Sequence, residues 1–363
     1  MPRKKKLLFI CGSINQTTQM HQIARELPEY QHTFSCYYGN LDFEVLRHLG
    51  ILEYTIGGNK LRNRCLDYLR AHGLEIDIGG KAPDIDLVFN CSDLVRPKNI
   101  RDKKVILVQE GMTDPENFVF PIVQRFRSLD GWWAGTCATG LSDQYDRFCV
   151  ASQGYRDLFV RRGIKPEKLV VTGIPNFDNV AKFLVNEFPL RGYVLVCTSD
   201  IREVFGFEDR KAFILKAREI AKGRQLVFKL HPNEKLPRAT REIAKWAPDA
   251  LVYTTGSAEE MVANCDVLVT QYSSLAHVGL ALGKEVHSFF DLDELKRLVP
   301  LQNGCAAKNI ANVARELLGD APRVEVPTPP PSTREAPPPP SRRRIEANGI
   351  HANGIHRPAR TTV

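Results

Sequence analysis

Two serines, a histidine and two carboxylates stand where strand-like runs of this 363-residue chain end, and such groups can bind an anion and move a proton. The apolar run Val267–Val269 leads into Tyr272-Ser273-Ser274, and an apolar segment of helical length then continues to Gly283. A strand that turns through hydroxyls into a helix start offers unpaired N–H groups, a favourable dipole and two further donors to a phosphate. The plainer alternative is that one serine is an N-cap. His231 follows the run Gln225–Leu230 directly, and Pro232 fixes the turn that presents it. An imidazole there can donate to a phosphate oxygen or act as acid or base near neutral pH, or it can be a hydrogen-bonded loop histidine. Glu110 and Asp93 end two earlier runs, and either carboxylate could take a proton from an acceptor hydroxyl or remain a solvated or capping group. Gly12 and Ser13, after the first run, are small enough for a ligand to approach backbone, although Gly12-Ser13-Ile14-Asn15 is not a GxGxxG fingerprint.

The elements that must place these groups alternate. Strands are expected at 7–11, 32–38, 86–91, 104–108, 147–152 and 169–173, with helices near 18–27, 61–72 and 154–162. The rhythm restarts with strands at 193–198, 225–230, 251–253, 267–269 and 285–290, and helices at 211–222, 237–246, 258–264 and onward to about 318. Ser257 with Glu260 makes a capping box for one of them. This pattern gives an α/β protein with two doubly wound, Rossmann-like domains, residues 1–175 and 190–320, facing one cleft lined by carboxyl ends of strands. Ten of the 23 prolines fall after residue 320, beside Arg342-Arg343-Arg344 and a tandem Ala-Asn-Gly-Ile-His, so 321–363 is expected to be a disordered tail. Trp132-Trp133 beside Phe118–Phe126 is expected in the core, with an apolar acceptor or membrane-surface patch as the alternative.

Composition narrows the function. The net charge of +8 belongs to the ends: Arg3-Lys4-Lys5-Lys6 supplies half, and the tail, with seven Arg against three Glu, supplies the rest. A neutral body argues against a nucleic-acid groove. Nine cysteines lack metal-ligand spacing and several sit in apolar runs, so buried reduced thiols are expected, with no metal site. No run approaches the ~18 apolar residues of a membrane span. A cytoplasmic protein is expected, with peripheral contact at the inner membrane face as an open alternative.

Three motifs carry a resemblance. Tyr272-Ser273-Ser274 after its strand, His231-Pro232, and Val171 to Asp178 at the domain boundary resemble CDP-glycerol glycerophosphotransferases of the GT-B superfamily, which also holds nucleotide-sugar glycosyltransferases. The Gln225–Glu234 region and the Gly173 boundary are also similar to UDP-N-acetylglucosamine 2-epimerases. The resemblance covers about residues 7–318 and implies a GT-B fold, with the serine turn and His-Pro loop on donor phosphates and acidic groups of the first domain in catalysis. Two departures stand out. Gln271 replaces the usual Asp before Tyr-Ser-Ser, and Ala276-His277-Val278 replaces the paired Glu of the epimerases. The expectation is a transferase that moves a glycosyl or glycerophosphoryl group from a nucleotide-activated donor to a saccharide or polyol acceptor of the cell envelope, without a separate cofactor. Catalysis would fall to His231, Glu110 and Asp93, and donor binding to Tyr272, Ser273, Ser274, Gly12 and Ser13. The alternatives are a sugar-nucleotide epimerase and a non-catalytic scaffold of the same fold.

Overall fold

The computed structural model describes residues 3–321, apart from 54, 96, 127–130 and 205, together with 355–356. The first sheet contains β1 (Lys6–Cys11), β2 (Gln31–Cys36), β3 (Ile85–Asn90), β4 (Lys104–Val108), β5 (Arg147–Val150) and β6 (Leu169–Val171). Their order is β2-β1-β3-β4-β5-β6, and every neighbouring pair is parallel. The central strands are buried on both faces, which is why they read as unbroken apolar runs. Phe9 pairs in register with Phe34 on one side and Phe89 on the other, and the rings stack at 5.0 and 4.7 Å. That row locks the strand register across the middle of the sheet.

The second sheet contains β7 (Val194–Cys197), β8 (Leu226–Lys229), β9 (Leu251–Tyr253), β10 (Val267–Val269) and β11 (Glu285–His287), in the parallel order β11-β10-β7-β8-β9. Each sheet reverses its winding once. After β2 the chain returns to the far side of β1, and after β9 it returns to the far side of β7. The crevices at the carboxyl ends of β1/β3 and β7/β10 are therefore the places where a doubly wound sheet opens for a ligand.

Helices cover both faces. In the first domain they are α1 (Ile14–Arg25), α2 (Leu41–His48), α3 (Asn59–Ala71), α4 (Phe120–Arg125) and α5 (Gln153–Arg161). The second domain adds α6 (Arg210–Ala221), α7 (Leu236–Trp246), α8 (Ala258–Asn264), α9 (Leu275–Ala281) and α10 (Leu292–Leu298), and α11 (Ala306–Leu318) closes the fold. α11 departs from the 190–320 unit expected for the second domain. Its Ile310, Ala311, Val313 and Ala314 join the core formed by Phe9, Phe34 and Phe89. First-domain lysines hold its carboxyl end, Lys5 on the Leu318 carbonyl at 2.7 Å and Lys104 on that of Leu317 at 2.6 Å, where the helix dipole favours cations. At its other end the Asp178 carboxylate accepts the Ala306 N–H at 2.8 Å. Asp178, read in the sequence as part of a boundary motif, thus ties the first domain's exit to the returning helix.

Eight of the nine cysteines are buried and all are unbonded. Among the described residues no group of three or more His, Cys, Asp or Glu could hold a metal, and no helix is long and apolar enough to cross a membrane. The core placement expected for the aromatic segment holds only in part: Phe120 and Val123 are buried in the core, residues 127–130 and the Trp132 side chain lie outside the described residues, and several others turn outward. Phe118 is 90% and Trp133 64% exposed, and Ile122 and Phe126 also face solvent. Most of the expected tail, 322–354 and 357–363, lies outside the described residues. Between these stretches Ile355–His356 (β12) pairs antiparallel with β9.

Candidate functional site

Glu110, just beyond β4, is oriented by the turn that follows β1. Ser13 caps α1 by accepting the Gln16 N–H at 3.1 Å, and its hydroxyl donates to Glu110 Oε1 at 2.7 Å. Gln16 Nε2 donates to the other carboxylate oxygen at 2.6 Å. The Gln16 amide cannot turn round, because its Oε1 accepts the Gly12 N–H at 2.8 Å. A Cβ on Gly12 would lie 2.4 Å from that oxygen, so any larger residue there would push the Gln16 amide aside. Ser13 and Gln16, with Asn15 Nδ2 farther off at 3.5 Å from Oε1, thus fix a half-buried carboxylate at the mouth of the β1/β3 crevice.

The second domain brings Tyr272, Ser273 and Ser274 to the same space. Ser273 Oγ accepts the Leu275 N–H at 3.3 Å, while Ser274, the N-cap residue of α9, makes no cap bond through its side chain. The Ser274 hydroxyl is therefore not committed to the helix. Tyr272 is half-exposed and meets the Phe290 ring edge-on at 4.8 Å. Behind the turn, Ser199 donates to Gln271 Oε1 at 2.6 Å and joins the ends of β7 and β10 at the switch point. A Cβ placed on Gly111 would lie 4.0 Å from Ser274 Cβ, so the strand-end loops of the two domains are nearly in contact. They enclose a cavity of about 230 Å³ whose wall includes Asn15, Glu110, Gly111, Tyr272, Ser273 and Ser274.

Two expected site residues stand elsewhere. Asp93 is buried and accepts the N–H groups of Gly140 at 2.9 Å and Ser142 at 3.2 Å, which gives it the job of pinning the 140–142 turn. Burial pushes its carboxyl above the usual carboxylate range, against the pull of those donors. Its position past β3 matched the expectation, but its side chain turns into the domain and not into the cleft.

His231 lies beyond β8, next along the sheet from the β7 end, and it is absent from the cavity wall. Its loop is anchored by Glu234, which accepts the His231 N–H at 3.2 Å and the Thr198 hydroxyl. Asp200 Oδ2 is 3.5 Å from His231 Nδ1. Burial lowers the imidazole pKa, and Asp200 opposes that shift. Sequence reasoning passed over Thr198, Ser199 and Glu234. The hydroxyl pair after β7 was the available signal, being another strand end at the switch point.

A buried contact between the domains adds a pH response. On α9, His277 is buried, and its Nε2 lies 3.1 Å from the Tyr155 hydroxyl of α5. Its Nδ1 has no hydrogen-bond partner. Burial lowers its pKa from 6.5 to about 4, whereas the unfolded chain binds the proton near 6.5. Because the unfolded state holds more protons in this window, stability is full above it and falls as pH drops through it. Unfolding by urea at pH 7 and pH 5 should show about 2 kcal/mol lost from this residue. His277→Gln should remove that part of the pH dependence; an unchanged slope would assign it to other groups.

No known family and no curated protein sequence matches this chain. Solved structures do. A Listeria monocytogenes protein assigned as a UDP-N-acetylglucosamine 2-epimerase superposes with a TM-score of 0.54 at 13% identity, covering 89% of this chain and all of the other. The Neisseria meningitidis UDP-GlcNAc 2-epimerase, solved with UDP-GlcNAc bound, gives 0.52 at 13% identity over 86% of this chain and 99% of its own. The two-domain fold is GT-B. The wall teichoic acid polymerase TagF reaches only 0.49 at 10% identity over 87% of this chain and 90% of its own, a likeness too weak to carry an argument. Glu110 and Ser274 line opposite sides of the cavity between the two strand-end faces, at the crevices where doubly wound sheets open.

Proposed function

We propose that this protein is a transferase that moves a glycosyl or glycerophosphoryl group from a nucleotide-activated donor to a hydroxyl-bearing acceptor. The observation that supports it is the oriented carboxylate of Glu110 facing the Ser273-Ser274 turn across one small cavity. At about 230 Å³ the cavity is smaller than the roughly 300–1,000 Å³ of a whole small-molecule site, so it suits the reacting groups and not the entire donor. Glu110 takes the proton of the acceptor hydroxyl as its oxygen bonds to the transferred carbon or phosphorus. The bond to the leaving phosphate breaks, and its electron pair stays on the nucleotide. Backbone N–H groups at the turn, with the hydroxyls of Ser273 and Ser274, hold that growing charge. His231, at the neighbouring strand end and outside the cavity wall, is left to the part of the donor that extends beyond the cavity.

A panel of UDP, CDP, CMP, GDP, ADP and UDP-N-acetylglucosamine tests the reading by thermal shift. One nucleotide at 100–1,000 times its dissociation constant should stabilise the protein by roughly 3–4 kcal/mol, and Ser274→Ala should weaken the effect. No response to any of them would overturn the reading. An epimerase is the second reading, favoured by the UDP-GlcNAc 2-epimerase structures that superpose above 0.5. Conversion of the donor without acceptor would decide for it.

A further inference from the structure

A second cavity, of about 610 Å³, opens off the first on the side of the first domain. The two share Ile56, Leu94, Asp114 and Thr136, so the larger one is a side chamber of the same cleft. Polar groups line it at the junction, where Thr136 donates to Asp114 Oδ2 at 2.6 Å and the Asp114 N–H returns to Thr136 Oγ1 at 2.9 Å, and again at Asn40, Asp42 and Thr55 on its outer rim. Away from the junction its wall is largely apolar and includes Phe43, Leu46, Leu52 and Val95. A Cβ on Gly57 would lie 2.4 Å from the Phe43 ring, so glycine lets that ring lie along the wall. On the outside, α2 contains no buried residue, and its Leu41 (81% exposed) and the following Leu49 (68%) carry apolar surface onward to solvent. From Glu110 outward the path runs from carboxylates and hydroxyls, through an apolar chamber, to an apolar surface.

We infer that this chamber holds the hydrocarbon chain of an amphiphilic acceptor whose neutral, hydroxyl-bearing head lies at the Glu110 end. Glu110 in the first cavity and Asp114 at the junction would repel an anionic head, and a neutral one with hydroxyls can donate to both carboxylates. The chain takes the chamber because a polar substrate there would leave hydroxyls unpaired against Phe43, Leu46 and Val95. This assignment rests on the transferase reading, since it names the acceptor of that reaction. α2 is the natural edge of the chamber to alter, because a residue that is not buried can be exchanged without removing core contacts.

The test is calorimetric titration of the full chain with n-alkyl β-D-glucosides of four, six and eight carbons, each below its micellar concentration. Affinity should rise about three- to fourfold per added methylene, the gain expected for a CH₂ leaving water. Leu46→Gln, in the wall, should flatten that dependence, while Leu49→Gln, on the outer surface, should preserve it. The assignment is overturned by failure of the octyl glucoside to bind. It is equally overturned by a chain-length dependence that survives Leu46→Gln, or by one that only Leu49→Gln removes. Nucleotide stabilisation measured on the same samples keeps the two readings apart. A nucleotide response without chain-length dependence overturns the chamber alone, and no nucleotide response overturns the transferase reading itself.

Discussion

Glu110→Gln is expected to lower turnover of the activated donor by roughly 10²- to 10⁴-fold, the usual contribution of a positioned proton acceptor, while the fold stays intact. The hydrogen bonds around the carboxylate separate these two effects. In the variant the amide oxygen can face Gln16 Nε2, whose direction is fixed through the Gly12 N–H. The new amide N–H₂ would then face Ser13, whose hydroxyl can rotate from donor to acceptor. Only the long Asn15 contact to Oε1 is lost, and Asn15 Nδ2 keeps the Glu110 carbonyl at 3.4 Å, so the cost in stability should be under about 1 kcal/mol, and nucleotide stabilisation should persist. Initial rates with donor and acceptor, beside melting curves with and without nucleotide, check both halves. Turnover within tenfold of the original protein would remove Glu110 from the chemistry. Lost nucleotide stabilisation would mean that it binds donor and does not act on the acceptor.

Much of the fold could be read from the sequence because parallel strands buried on both faces leave continuous apolar runs, and those of β1, β3 and β4 needed no other signal. Ser257 caps its helix at the expected place. Where reading failed, the cause was direction more than position. Ser13, taken as part of an open turn, starts α1 several residues earlier than expected. α2 was not anticipated although Leu41, Val45 and Leu49 recur at helical spacing, and that stripe faces solvent, since α2 buries no residue. Phe118, Ile122 and Phe126 recur at helical spacing, but spacing does not reveal whether a stripe meets the core or solvent. Asp93 and Glu110 are equivalent as strand-end carboxylates, yet one turns into the domain and the other into the cleft. The winding order of each sheet decides which strand ends form a crevice, and order is a long-range property that no local run contains.

The anchorage of the His231 loop leads to the largest stability effect expected. Arg210 is buried between Glu208 and Glu234, bidentate to the first at 2.6 and 2.9 Å and bonded to the second at 2.7 Å. Both carboxylates are almost fully buried. Arg202 assists from farther away, at 3.3 Å from Glu208 and 3.9 Å from Glu234, while it is also held by Glu242 at 2.9 Å. Arg210→Met keeps much of the volume and removes the charge, which leaves two neighbouring carboxylates out of water with one distant partner. Breaking a buried ion pair from one side costs about 3–5 kcal/mol, and that loss is expected at pH 7. The sign of its pH dependence follows from the same repulsion. In the variant at least one carboxyl has a folded pKa above its unfolded value, so the folded state binds the extra proton and part of the loss returns as pH falls toward 5. Adding Glu208→Gln should recover stability at pH 7 by removing one of the two charges. Urea unfolding of both variants at the two pH values checks this. A loss below about 1 kcal/mol, or one that does not change with pH, would show that the cluster is hydrated and that Glu234 holds the His231 loop without help from Arg210.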